Sequence, residues 1–152
     1  MNKKVFIEDS EISEYVKNFL ISKNVEFVKE GEGDFEIYFS YPRKSANNSI
    51  NVHPSLLPAF DCEDAINRAF MAGVKVSGVT ITCGDKIIAQ YPVLIGLDTH
   101  YEEFKRDVIE VEKRLIPPVI EAILEDRIFD FQDLFRSPCA HKGGCSGCHK
   151  NN

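Results

Sequence analysis

The sequence predicts an α/β domain with a mixed sheet flanked by helices. Strand-like and helix-like patterns alternate along most of the chain, which favours this class over an all-α or all-β fold. A Gly-Asp pair between two apolar runs adds an antiparallel hairpin to the sheet. With 152 residues, 43% of them hydrophobic, the chain can bury one core. We expect one domain over residues 1–136 and a Cys/His-rich tail over residues 137–152.

The first forty residues have the pattern strand, helix, strand, strand. The run KKVFIE at 3–8 predicts the first strand, and Ser10 is placed to cap the helix after it. Two further apolar runs, at 25–30 and 34–40, are separated by Gly-Glu-Gly. The helix is predicted from apolar residues that recur at helical spacing, namely Ile12, Val16, Phe19 and Leu20.

The middle of the chain contains a polar loop, a short strand and a helix. The loop covers residues 41–48, and the strand SINV follows at 49–52. Asp61 is placed to cap a helix over residues 62–72, which Gly73 is expected to end. The inward face of this helix is predicted to carry Ala65, Ile66, Ala69 and Phe70.

A hairpin and two helices are predicted next. Gly84 suits the first central position of a two-residue turn between strands within residues 75–95. Thr99 and Glu102 have the spacing of a capping box. Pro117 and Pro118 are expected to break the following helix and to open another over Val119–Leu124. The buried face of the first of these helices is predicted to carry Phe104, Val108, Val111 and Leu115.

Charge and hydropathy narrow the classes of function. The net charge of −6 argues against a general electrostatic attraction to nucleic acid or to anionic lipid. No apolar run reaches membrane-spanning length, and the start MNKKVFIEDSE lacks the apolar core of a signal peptide. We therefore expect a cytoplasmic protein without nucleic-acid or membrane partners. Its five cysteines are then expected to be thiols or metal ligands.

The run INVHP places two chemically useful side chains together. Asn51 and His53 are two apart in a strand and so project from the same face, at the end where α/β sheets bind ligands. An amide and an imidazole can polarise a carbonyl, stabilise an oxyanion or move a proton. A structural interpretation stands beside this one, in which Asn51 caps a turn and His53 is a satisfied loop residue.

A longer set of motifs resembles a known family. INVHPSLLPAF is followed in order by AINRAFMAGVKVSGVTI, IIAQYPV and VIEVEKRLIPPVIEAI. This series, over roughly residues 49–124, resembles the glycinamide ribonucleotide formyltransferase family. The resemblance suggests the C-terminal half of that family's domain, preceded by a shortened N-terminal region.

The resemblance implies a folate-dependent reaction. Members transfer a formyl group from 10-formyltetrahydrofolate to a small-molecule amine, and their Asn and His contact the formyl oxygen. Carried over, Asn51 and His53 become an oxyanion-stabilising pair, and Pro54 and Pro58 stiffen the loop that supports it. The family also uses an aspartate in a loop between two strands. Asp85 is the only acidic residue in the matching segment and is the catalytic candidate there, with a turn residue as the alternative.

Two differences from the family predict that part of the family's active site is missing here. Six residues separate Thr80 from Ile87, where the family carries a longer loop that also lines its folate pocket. The family's Gly-rich phosphate loop is replaced here by FIEDSEIS, whose Glu8, Asp9 and Glu11 would repel a phosphate. Glycinamide ribonucleotide is therefore not the expected substrate. Two functions remain open: an active formyltransferase for another amine, and a catalytically silent binding or regulatory module with the same fold.

The tail has the composition of a metal site. Its sixteen residues contain three Cys, two His and three Gly, and almost nothing apolar. Cys-x2-Cys matches zinc-ligand spacing, and three thiolates could also hold an iron–sulfur cluster. The alternative is a thiol-bearing end without metal. The predicted ligands are Cys139, His141, Cys145, Cys148 and His149.

Overall fold

A computed structural model describes residues 2–126, which form a six-stranded mixed sheet with helices. The spatial order of the strands is β2-β1-β3-β4-β5-β6. The pairs β1–β2, β1–β3 and β3–β4 are parallel, whereas β4–β5 and β5–β6 are antiparallel. The predicted fold class is confirmed. The strands are Lys3–Ile7, Val25–Phe27, Phe35–Tyr38, Ser49–His53, Val76–Cys83 and Lys86–Leu94.

All three helices contribute to a core on one face of the sheet. They are α1 (Ser13–Ile21), α2 (Ala65–Met71) and α3 (Tyr101–Leu124). Because side chains alternate along a strand, one face carries the apolar set and receives the helices. The strand residues of that core are Val5, Ile7, Ile37, Ile50, Val52, Val79, Ile81 and Val93.

The opposite face of the sheet is polar and is covered by loops in its centre. Alternation and strand register place its side chains side by side on neighbouring strands. Several are nevertheless buried, so each needs a hydrogen-bonding partner. The polar residues of this face in β3 to β6 are Glu36, Tyr38, Ser49, Asn51, His53, Thr80, Thr82 and Gln90.

Local signals mark the hairpin and one helix end correctly, but the three predicted caps are wrong. Gly84 (φ 56°) forms the hairpin turn, and Gly73 (φ 73°) follows α2. Ser10 does not cap α1, whose N-cap position is Ile12 without a side-chain hydrogen bond. The second helix begins at Ala65 rather than at residue 62, because Asp61 pairs with Arg43 instead of capping. Thr99 does not cap α3, since its hydroxyl accepts a hydrogen bond from the Gly96 amide (2.9 Å).

The predicted helix break at Pro117 and Pro118 is also wrong. Helix α3 continues through both prolines for 24 residues. A proline inside a helix removes a hydrogen bond and crowds the preceding turn, so another interaction must offset that cost. Apolar residues on both sides of the prolines enter one core and keep the two halves in line. They are Phe104, Val108, Ile116, Ile120 and Ile123, whereas the predicted Val111 and Leu115 are only half-buried.

The tail predictions lie outside the described residues. This applies to the boundary at residue 137 and to the five metal ligands proposed within 137–152. Within residues 2–126, no helix is long and apolar enough to cross a bilayer.

Candidate functional site

Asn51 and His53 lie on β4, which is the last parallel strand before the antiparallel part of the sheet. His53 is the last residue of the strand, and both side chains lie on its polar face. Thr82 lies opposite Asn51 on β5, and Thr80 lies opposite His53. Asn51 is 1% exposed and His53 3% exposed. Both predicted residues therefore lie where expected, but neither is open to solvent.

The side chain of Asn51 is bonded on both its oxygen and its nitrogen. Its Oδ1 accepts a hydrogen bond from the backbone amide of Lys44 (2.8 Å). Its Nδ2 donates to the backbone carbonyl of Lys44 (2.8 Å) and to the hydroxyl of Thr82 (3.2 Å). An amide group has two donor hydrogens, so both are used. The residues Tyr41–Lys44 are called the 41–44 loop below. This loop is thus hydrogen-bonded to the amide group that was predicted to hold a formyl oxygen.

The imidazole of His53 is neutral and bonded to a carbonyl. Its Nε2 lies 3.0 Å from the backbone oxygen of Phe60, which can only accept, so Nε2 carries the proton. Burial lowers the pKa of His53 below its usual value of 6.5. The bond to Phe60 opposes that shift. At neutral pH the ring therefore has one donor, already used, and an unprotonated Nδ1.

Two side chains of the 41–44 loop bind Asp61. The hydroxyl of Tyr41 donates to the backbone oxygen of Asp61 (3.1 Å), and Arg43 forms an ion pair with the Asp61 carboxylate. The ring of Tyr41 lies beside that of His53, with centroids 6.1 Å apart. Just before the loop, Glu8 accepts hydrogen bonds from the amides of Phe39 (2.9 Å) and Ser40 (2.7 Å).

Asp85 lies at the wrong end of the sheet to assist His53. Thr80 pairs with His53, whereas Cys83, next to the turn, pairs with Ile50 near the start of β4. At about 3.3 Å per strand residue, the turn is about 10 Å along β5 from the residue opposite His53. The structure therefore does not bring Asp85 to the Asn51–His53 pair.

A groove lies on the helix side of the same sheet edge. It has a volume of about 180 Å³ and is lined by residues that follow β1, β3 and β4, including Phe39 and Pro54, and by α3. Glu112 of α3 lines it without a hydrogen bond or ion pair among the described residues. Burial, followed by the charge of Glu11, raises the pKa of Glu112 to about 7. Neither Asn51 nor His53 lines this groove.

Glu112 was missed by the sequence analysis, although a signal was present. It lies four residues after Val108 and four before Ile116, in line with the buried residues of α3, and is itself half-buried. A glutamate at such a position either finds a partner or keeps its proton. The described residues 2–126 contain no cluster of three or more side chains suited to hold a metal ion.

Comparison with known proteins identifies a matching family. The model described as "Formyl transferase" matches residues 42–120. This is the N-terminal domain of the family, so the expected match to a C-terminal half is wrong. Phosphoribosylglycinamide formyltransferase of Bacillus subtilis (strain 168) is 41% identical over 81 residues, which are 49% of this chain and 42% of that protein. Formyltetrahydrofolate deformylase of Haemophilus influenzae is 32% identical over 93 residues, 57% of this chain and 34% of that protein.

Solved structures show the same fold over most of the chain. Phosphoribosylglycinamide formyltransferase from Bacillus halodurans has a TM-score of 0.57 at 27% identity, covering 88% of this chain and 84% of that one. The formyltransferase PseJ from Anoxybacillus kamchatkensis, crystallised with a sugar nucleotide and tetrahydrofolate, has a TM-score of 0.69 at 19% identity. That match covers 84% of this chain and 79% of that one. Against the two curated relatives, the chain spans less than half of their length.

Because the pKa of Glu112 is raised, we expect Glu112→Gln to stabilise the folded protein, and to do so more at high pH than at low pH. Between 4.5, the usual pKa, and about 7 the folded protein keeps a proton that the unfolded chain releases, so stability falls as pH rises through this window. Glutamine resembles the protonated acid. We expect little change in the free energy of unfolding at low pH and a gain of up to about 3 kcal/mol above neutrality. Urea unfolding at about pH 5 and 8 measures both.

Glu103→Gln is the matched control, because Glu103 is exposed on the same helix and does not line the groove. It should leave stability unchanged at both pH values. An equal effect of Glu112→Gln at the two pH values would contradict the elevated pKa.

Proposed function

We propose that this chain, which belongs to the formyl transferase family, is a binding module on the formyl transferase fold whose Asn–His pair does not transfer a formyl group. One observation carries the proposal. The amide of Asn51 is used up by the 41–44 loop and Thr82, and so it has no donor left for a formyl oxygen.

The surroundings of His53 support the same conclusion. A general base needs an acceptor nitrogen that faces the substrate and a partner that orients it. Here the oriented nitrogen is Nε2, and its partner is a backbone carbonyl rather than a carboxylate. Asp85, the candidate for the carboxylate, lies beyond the other end of β4. Without a carboxylate at this position, no such group stabilises a protonated imidazole of His53.

Binding could persist without catalysis because the groove is separate from the pair. It lies at the carboxyl ends of three parallel strands, where open α/β sheets hold their ligands. Its walls are partly apolar and include a few polar side chains, which is the usual composition of a small-molecule site. In this proposal the Asn51 and Thr82 side chains hold a loop in place, and the ligand binds on the helix side.

Formyl transfer from 10-formyltetrahydrofolate to an amine is the second candidate function. The observation in its favour is that Asn51 and His53 remain adjacent on one face with a neutral imidazole. If the 41–44 loop moved away, Nδ2 of Asn51 could donate to the formyl oxygen. The amine would attack the formyl carbon, the bond to the folate nitrogen would break, and tetrahydrofolate would leave with the amine's proton.

We expect the purified full-length chain to release no tetrahydrofolate from 10-formyltetrahydrofolate above the rate of its His53→Ala variant. Tetrahydrofolate release reports both transfer to an added amine and hydrolysis to formate, so one assay covers both reactions. A wild-type rate higher than that of His53→Ala by about 10²–10³-fold, the loss expected for one oxyanion donor, would establish the second candidate.

His100→Ala is the matched control for this assay. His100 lies at the start of α3 and belongs to neither the pair nor the groove. If His100→Ala lowered the rate as much as His53→Ala, the loss would reflect damage to the fold and not loss of an active group. The Bacillus subtilis relative serves as the positive control for the substrate.

We also propose a metal site in the tail, as zinc or as an iron–sulfur cluster, held by Cys139, Cys145 and Cys148 with His141 or His149. The support is compositional. Residues 137–152 have too little apolar surface to offset their ordering entropy by burial. Metal–thiolate bonds can offset it, since structural zinc contributes on the order of 10 kcal/mol in small sites.

Elemental analysis of protein purified without oxygen and without a His-tag is expected to give about one equivalent of zinc, or iron with matching sulfide. The double variant Cys145→Ser and Cys148→Ser should lose the metal, whereas Cys62→Ser, outside the tail, should keep it. Metal-free wild-type protein that takes up neither metal on reconstitution would contradict the site.

A further inference from the structure

Another groove lies beside β2, the strand at one edge of the sheet, and is called the β2 groove below. Its volume of about 480 Å³ is in the range of pockets that hold a bound group. Phe27 of β2 lines it and is 43% exposed, although phenylalanine is among the residues that are most often buried. An edge strand with exposed apolar side chains is normally covered by another segment. The apolar wall of the β2 groove consists of Val5, Phe6, Ile7, Phe27 and Val28.

Two charged side chains that line the β2 groove lack a partner among residues 2–126. Glu26 and Lys29 are exposed, and neither forms an ion pair with another described residue. Lys17 of α1 also lines the groove, but it pairs with Glu14 (3.3 Å). An occupant that carries charges of both signs would therefore pair with Glu26 and Lys29, while the apolar wall would hold its hydrophobic side chains.

The chain continues beyond α3 with a segment of matching composition. Residues 127–136, RIFDFQDLFR, contain five apolar residues, two arginines and two aspartates, without glycine or proline. They lie outside the described residues, and their composition differs from that of residues 137–152, which have almost nothing apolar. Such a segment lowers its free energy when its apolar side chains are buried against the folded domain. These side chains are Ile128, Phe129, Phe131, Leu134 and Phe135.

The end of α3 brings this segment close to the β2 groove. Asp126 is the last described residue, and its carboxylate lies 3.3 Å from Nζ of Lys3, the first residue of β1. The groove begins at Val5, two residues further along β1, which is about 7 Å away. Ten extended residues span at most about 33–36 Å. The segment can therefore reach the whole groove without any movement of α3.

We propose that residues 127–136 of the same chain bind in the β2 groove and cover this edge of the sheet. Their aromatic side chains pack on Phe27 and the rest of the apolar wall, and their aspartates and arginines pair with Lys29 and Glu26. The inference goes beyond the proposed function, because the Asn51–His53 pair does not line the β2 groove and takes no part in the docking.

Limited digestion of the full-length chain with trypsin tests the docking, because Arg127 and Arg136 bracket the segment. The rate of cleavage after each arginine is followed by mass spectrometry. A synthetic peptide of residues 121–142 gives the rate for the same sequence without the domain. We expect cleavage after Arg136 in the full-length chain to be slower than in the peptide by about tenfold or more, since a docked segment must open before it is cut.

Phe27→Glu places a charge in the apolar wall and should raise the rate of cleavage after Arg136 by about tenfold or more. Ile87→Glu is the matched control, because Ile87 is 47% exposed on β6, the strand at the opposite edge of the sheet. It should leave the rate unchanged. Cleavage after Arg114, within α3, should stay slow in both variants and so report that the domain remains folded.

The double variant Phe129→Ser and Phe131→Ser tests the same contact from the segment and should also raise the rate of cleavage after Arg136. Every variant keeps residues 137–152, so a metal in the tail affects all of them equally. A wild-type rate equal to that of the peptide, or unchanged rates in both Phe27→Glu and the double variant, would overturn the proposal. Protection that increases with protein concentration would also overturn it, because a second copy would then cover the groove.

Discussion

The hydrogen bonds between Asn51 and the backbone of Lys44 determine how the polar face of the sheet is organised. A buried asparagine must satisfy a carbonyl oxygen and two amide hydrogens, and the backbone N–H and C=O of a single residue offer a matching donor and acceptor. Because the backbone N–H and C=O of Lys44 fill both roles, the 41–44 loop is held against Asn51 of β4. The position of Tyr41 beside His53 and the Arg43–Asp61 ion pair are consistent with that placement.

The same principle explains how loops replace helices on this face. Parallel sheets are usually covered on both faces, and here the three helices pack on one. Thr80 and Gln90 bind the loop that follows β4, in the same way as Asn51 binds the 41–44 loop. The Thr80 hydroxyl donates to the carbonyl of Ser55 (2.7 Å), and Gln90 donates to the carbonyl of Leu57 (2.9 Å). Polar strand residues that could serve catalysis thus act as anchors for the covering loops.

The fold was largely predictable from the sequence because alternation and helical spacing are local signals. Strand β4, the Gly84 turn and the mixed sheet all follow from them. The failures share a different cause, since each depends on contacts between distant residues. Asp61 is drawn away from its cap by Arg43, and α3 continues through Pro117 because the core holds both of its halves. The sequence was enough to predict that Asn51 and His53 lie together. It was not enough to predict the loop bound to Asn51, because that loop is held by a tertiary hydrogen bond.

The Asn51 side chain is already bound to its own chain, and amide hydrogen exchange at Lys44 measures this directly. The Lys44 amide donates to Oδ1 of Asn51, in a loop without other regular structure. We expect this amide to be protected from exchange in the native protein and to become unprotected in Asn51→Ala, while the core strand β5 stays protected in both. If the Lys44 amide exchanges in the native protein as fast as in an unstructured peptide, the hydrogen bond to Asn51 is not formed in solution and the Asn51 side chain is free to bind a ligand.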